Sequence, residues 1–139
     1  MTVQSKTIRI NTRGNCDMID ITEQVAREIN DSPIKSGLAT IFITGSTAGI
    51  TTIEYESGVL NDYKEMWERN VPSNITYQHD QRWGDGNGYS HVRASLQGPS
   101  LVVPFANKRM MLGTWQQIVV VDFDNRARSR EIVLQLLGE

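Results

Sequence analysis

Cysteine and histidine are nearly absent from this chain, and each shortage excludes something. The one cysteine, Cys16, cannot close an internal disulfide, so the fold is not a disulfide scaffold. Beside Asp17, that thiol reads as a small core residue or, less commonly for a lone cysteine, as a nucleophile. Proline is scarce at 4 residues, and no repeat or low-complexity run is present, which sets aside collagen-like and disordered chains. No apolar stretch approaches the ~20 residues of a membrane span. The opening MTVQSKTIRINTR lacks the apolar run of a signal peptide, so a cytoplasmic protein with no membrane partner is expected. Charge is balanced: 14 basic against 16 acidic residues give a formal net charge of −2, without the basic footprint of a nucleic-acid binder. A local arginine patch for a small phosphate remains open, because local and net charge are separate quantities.

What is present is one domain's length, 139 residues with 39% hydrophobic, enough to bury a core. VQSKTIRINT alternates and predicts a half-exposed strand. DITEQVAREIND predicts a helix, with Ile21, Val25 and Ile29 on one face, Asp20 and Glu23 as a capping box, and Ser32-Pro33 closing it. Two strands, Leu38 to Thr44 and Ile50 to Tyr55, meet around Gly45-Ser46-Thr47-Ala48-Gly49. A second helix is predicted over Val59 to Arg69, with Leu60, Tyr63, Met66 and Trp67 inward. Val71 to Ser90 has no clean period and reads as an irregular, functional loop. Four short strands follow, SLVVPF, KRMMLGTW, QQIVVVDF and REIVLQLLG, with DNRARS as the last turn and Pro104 ending its strand or lying on an edge. The expected fold is α+β: a single domain over residues 1–139, a largely antiparallel sheet and two main helices.

Both histidines, His79 and His91, fall in or beside the aperiodic stretch YQHDQRWGDGNGYSHVRAS. Twelve residues apart, they match no compact metal motif, yet a folded loop can bring them together. With Asp80 or Asp85 as oxygen ligand or orienting partner, they would suit Zn²⁺ or another divalent ion; otherwise they are ordinary surface residues. GDGNG, including Gly86 and Asn87, can turn its amides inward as an anion nest or serve as a flexible turn. Arg93 and Ser100 add a guanidinium fork and a hydroxyl, good phosphate partners unless they lie on a solvated strand face. Ser46 and Thr47 offer donors, but GSTAG does not match the G-x-S-x-G elbow, which argues against acyl transfer. Thr114, Trp115 and Gln116 open a strand; Trp115 would stack on a flat ring or sit in the core.

The order of these segments, STAGITTIEYE, then HD…GDGNGYSHVRASLQGPSLVVP, then LGTWQQIVVVDFDNRARSREIVLQLLGE, closely resembles the YjbQ family. That resemblance implies a single α+β domain assembled as a homotrimer, similar to secondary thiamine-phosphate synthases. Those enzymes join hydroxymethylpyrimidine diphosphate to a thiazole phosphate and release diphosphate. Under this resemblance His79, Asp80 and His91 are the candidate metal ligands and His79, His91 and Glu54 the candidate catalytic groups. Ser46, Thr47, Gly86, Asn87, Arg93, Ser100, Thr114, Trp115 and Gln116 would bind small phosphorylated substrates, with a divalent Mg²⁺ or Zn²⁺ as cofactor. Gly45 stands where many members carry a histidine, and Tyr89 where others read HSH, which leaves two histidines and a carboxylate, or an anion site alone. A metal-assisted phosphohydrolase and a non-catalytic ligand-binding trimer are the alternatives.

Overall fold

The computed structural model describes residues 1–139 as two antiparallel sheets and four helices. The larger sheet has the order β1-β8-β3-β5-β6, where β1 is Thr2–Thr12, β3 Gly37–Ile43, β5 Ser100–Ala106, β6 Arg109–Met110 and β8 Arg128–Gly138. The smaller has the order β2-β7-β4, where β2 is Asp17–Asp20, β4 Ala48–Ile53 and β7 Gln117–Asp122. The helices are α1 (Thr22–Asp31), α2 (Ser57–Asn70), α3 (Gln78–Trp83) and α4 (Gly88–Gln97).

The layers follow from which residues are apolar. Alternation in β8 buries Ile132, Leu134 and Leu136 against Ile41 and Ile43 of β3 and against Ile50 of the small sheet, and α1 closes this core with Val25 and Ile29. β7 does not alternate. Its run Ile118 to Val121 is wholly buried, because Ile118 and Val120 face the first core while Val119 and Val121 face a second one. That second core lies under α2 and α4, built from Trp67, Tyr89, Ala94 and Phe123. A strand covered on both faces needs a continuous apolar run, and each such side chain contributes roughly 1.5–3 kcal/mol.

Four expectations change. The stretch predicted as an irregular loop contains α3 and α4. Helix α4, GYSHVRASLQ, is rich in weak helix formers, so propensity hides it. It forms because Tyr89 and Ser90, then Arg93 and Ala94 one turn later, are buried. KRMMLGTW is not a full strand, since only Arg109 and Met110 pair with β5 before the chain turns at Gly113 to Gln116. Asp20 and Glu23 form no capping box: Ile21 is the N-cap, and the Asp20 carboxylate accepts from the amide and hydroxyl of Thr22. Pro104 lies inside β5, where its carbonyl accepts from Met111 on the side that β6 barely covers. Its missing N–H therefore leaves no ladder bond unmade.

Candidate functional site

β7 ends at Asp122; Phe123 and Asp124 follow it, and both carboxylates are fully buried. Such groups are tolerated only when paired and fully hydrogen-bonded. Here they are. Asp122 accepts Arg130 Nε at 2.7 Å and Nη2 at 2.8 Å, the hydroxyl of Thr12 at 2.5 Å and the Asp124 amide at 3.0 Å. Asp124 accepts Arg128 Nε at 2.8 Å, Thr47 Oγ1 at 2.9 Å, Asn87 Nδ2 at 3.2 Å and the Asn125 amide at 2.8 Å. Burial alone would raise the Asp124 pKa, but these donors from Asn87, Thr47, Asn125 and Arg128 outweigh it and hold the carboxyl below its usual range.

The same network leaves one guanidinium edge free. Arg130 is 8% exposed, and its Nε and Nη2 are committed to Asp122 and Thr47. Its Nη1 instead lies beneath Gly45, where an added Cβ would come within 2.8 Å. Gly45 has φ +116, a conformation L side chains rarely adopt. The absence of a side chain at 45 therefore opens Arg130 to a cleft of about 350 Å³ lined by Ser46, Thr47, His79, His91, Asn87 and Arg128. Trp83, 61% exposed, stands on its rim.

Helices α3 and α4 bring the two imidazoles together on this cleft, with ring centroids 4.4 Å apart and planes tilted by 40°. Burial and the neighbouring His79 lower the His91 pKa, against the pull of Asp124 and Asp85. Two buried polar atoms at the cleft have no protein partner, His79 Nδ1 and Asn87 Oδ1. Because Asn87 Nδ2 is held by Asp124, the free Oδ1 presents an acceptor to water or a ligand. An inner arm of about 280 Å³ shares Gly45, Ser46 and His91 with the cleft and continues past Ala48, Ala94 and Pro99. An outer arm of about 210 Å³ shares Asp85, Asn87 and Arg128 and adds Asn125 and Arg126.

The matching family model, described as UPF0047 protein YjbQ-like, covers residues 6–139. The chain belongs to the YjbQ-like UPF0047 family. A UPF0047 protein of Methanothermobacter thermautotrophicus is 36% identical over all of this chain and 95% of its own length. YugU of Bacillus subtilis, another UPF0047 protein, is 34% identical over 96% of this chain and 98% of its own. A solved structure from Sulfolobus solfataricus, a YbjQ-like protein of unknown function, superposes with a TM-score of 0.93 at 30% identity, covering 99% of both chains.

Within this YjbQ-like chain the predicted site divides. His79, His91, Ser46, Thr47 and Asn87 converge on the cleft, with Gly86 between two lining residues. Asp80 is engaged in the backbone: its carboxylate accepts the Tyr77 amide at 3.2 Å and the Gly88 amide at 2.9 Å, tying α3 to α4, and lies 4.0 Å from His79 Nδ1. No three His, Cys, Asp or Glu side chains come together, so these residues do not fit a resident Zn²⁺, which takes at least three protein ligands. Arg93 is a correction too. It is 3% exposed, bonds the Val71 carbonyl through Nε and Nη2, pairs with Glu68 at 2.9 Å and lies 4.9 Å over the Tyr89 ring. It locks the end of α2 to α4 and cannot reach a phosphate.

Ser100 is exposed at the start of β5 and does not line the cleft. Glu54, Thr114, Trp115 and Gln116 gather at the opposite end of β4, where Gln116 Nε2 meets Thr52 Oγ1 at 3.3 Å. Seven residues of extended chain put Glu54 roughly 20 Å from Thr47. Trp115 is neither core nor platform in this cleft but 71% exposed. The residues missed, Asp122, Asp124, Arg128 and Arg130, did leave a signal. Carboxylates closing an apolar strand, followed by arginines at alternate positions, ask for burial and pairing.

Proposed function

We propose that the chain is a cytoplasmic transferase joining hydroxymethylpyrimidine diphosphate to a thiazole phosphate with release of diphosphate. The observation that carries this reading is the free Nη1 of Arg130, held by Asp122 and Thr47 and uncovered by Gly45 beside the two imidazoles. In the reaction, the thiazole nitrogen's lone pair forms a C–N bond to the pyrimidine methylene as the C–O bond breaks. Both electrons of that bond leave on the diphosphate oxygen. The ring nitrogen becomes cationic and no redox partner is needed. Charge developing on the leaving oxygen is what pre-oriented guanidinium groups stabilise best. Arg130 and the outer nitrogens of Arg128 would take that role; Thr47 holds Arg130 directly, and Thr47 and Asn87 steady Arg128 through Asp124. His91, where the cleft meets its inner arm, would donate a hydrogen bond to the leaving group. The arm's Ala48, Ala94 and Pro99 suit a small flat ring.

A homotrimer belongs to the same reading. An exposed row across the large sheet, Val3 beside Leu137 beside Leu38 beside Pro104, is the kind of apolar face that a second subunit covers. Mass-spectrometric detection of thiamine phosphate from the two substrates with Mg²⁺ tests the activity. Product that collapses in His91→Ala supports it; no product above the blank from folded protein overturns it. Light scattering tests the trimer.

A further inference from the structure

The outer arm extends the cleft beyond Arg130, which does not line it. It continues from the central cleft through three shared residues, Asp85, Asn87 and Arg128, and ends at Arg126. Its lining has no hydrophobic residue. Three arginines at alternate positions, Arg126, Arg128 and Arg130, thus run from the rim to the buried floor. Their state differs along the way. Arg130 is held by Asp122, Arg128 gives its Nε to Asp124 and keeps its outer nitrogens, and exposed Arg126 forms no ion pair. The Asn125 side chain, bonded to the Asp85 carbonyl at 2.8 Å, fixes the arm's far wall.

We infer that the outer arm is a subsite for the second phosphate of a diphosphate, with Arg126 as the residue that distinguishes diphosphate from monophosphate ligands. The inference rests on the phosphate reading of the central cleft and deepens it. A phosphate over Arg130 Nη1 leaves the next phosphate to fall towards Arg128 and Arg126, because Arg128 lines both the cleft and the outer arm and Arg126 lines the outer arm beyond it. Arginine's planar fork suits such oxygens. Asp85 opposes them with its own negative charge, which keeps a bare anion from binding tightly and favours release of the product. A monoester phosphohydrolase would have no use for this arm, so the subsite also favours diphosphate displacement over simple hydrolysis.

Titration calorimetry of the intact protein with inorganic phosphate and with pyrophosphate, at constant pH and ionic strength, tests this directly. Wild type should bind pyrophosphate about tenfold more tightly than phosphate, roughly one charge-assisted contact's worth. Arg126→Ala, an exposed position whose variant should melt like wild type, should bring that ratio to about two while phosphate affinity stays within twofold. Asp85→Asn should tighten both ligands. Equal affinity in wild type, or an unchanged ratio in Arg126→Ala, overturns the subsite and leaves the central site standing. Binding of neither ion overturns both.

Discussion

Asp122→Asn should be among the most damaging single changes in this protein. The wild-type carboxylate is fully buried and accepts four hydrogen bonds, two of them from Arg130. An amide keeps the shape but turns one acceptor into a donor that faces the guanidinium. Arg130, 8% exposed, would then have only Asp124, whose Oδ2 lies 3.9 Å from Nη2, as a compensating charge. Breaking one partner from a buried ion pair costs about 3–5 kcal/mol. Unfolding entropy of roughly 2.1 cal/mol/K per residue gives about 0.3 kcal/mol/K for a chain of this length, so Tm should fall by ~10–17 °C. Differential scanning calorimetry reads this out. Asp122→Asn combined with Arg130→Met should recover much of the loss, since no charge is then stranded. A single variant that melts within about 3 °C of wild type would refute the account of the buried network.

Gly45→Ala should lower Tm by an amount matching about 1–3 kcal/mol of strain and weaken phosphate binding, because its Cβ would lie 2.8 Å from Arg130 Nη1 at φ +116; scanning calorimetry and titration check the two effects. Arg93→Met should lose stability yet retain phosphate affinity within twofold, separating a structural arginine from the cleft arginines. The lowered His91 pKa means that the folded chain binds fewer protons than the unfolded one. Its contribution is complete above the ordinary histidine value near 6.5 and is lost as pH falls from there to the folded value, where it levels off. Bound anion opposes the His79 repulsion, adds to the pull of Asp124 and Asp85, and should tighten as pH drops through that window; calorimetry in buffers of different ionisation enthalpy would show proton uptake. Cys16, whose thiol burial pushes up to about 11, should resist alkylation at pH 8 in the folded protein and label only on unfolding.

Most of the fold was legible because its elements follow local periodicity. β1, β3, β4, α1, α2, β5, β7 and β8 all lie where alternation, β-branched apolar runs or fourfold spacing put them. Helix α4 was not legible, since its stability comes from Tyr89 and Arg93 packing on α2 and β7 rather than from its own propensities. The site divided for the same reason. His79, His91, Ser46, Thr47 and Asn87 were visible as polar residues in segments with few apolar residues to bury. Arg93 stood out equally well but was claimed by Glu68 and the Val71 carbonyl.

The sequence alone determined the antiparallel α+β architecture, through the period of its apolar residues, and concentrated imidazole, glycine and hydroxyl side chains in two segments. Tertiary structure decided which charged groups face the cleft. Asp122 and Asp124 lie 32 to 39 residues beyond Asp85 to Ser90 and 75 or more beyond Thr47, and pairing across such separations exists only once β4, β7 and β8 are assembled. Local sequence cannot record which arginine will be neutralised by a buried carboxylate and which will keep a nitrogen free, because that depends on geometry between strands. Arg93 and Arg130 are alike in sequence; burial and partners made one a strut and the other the floor of the site.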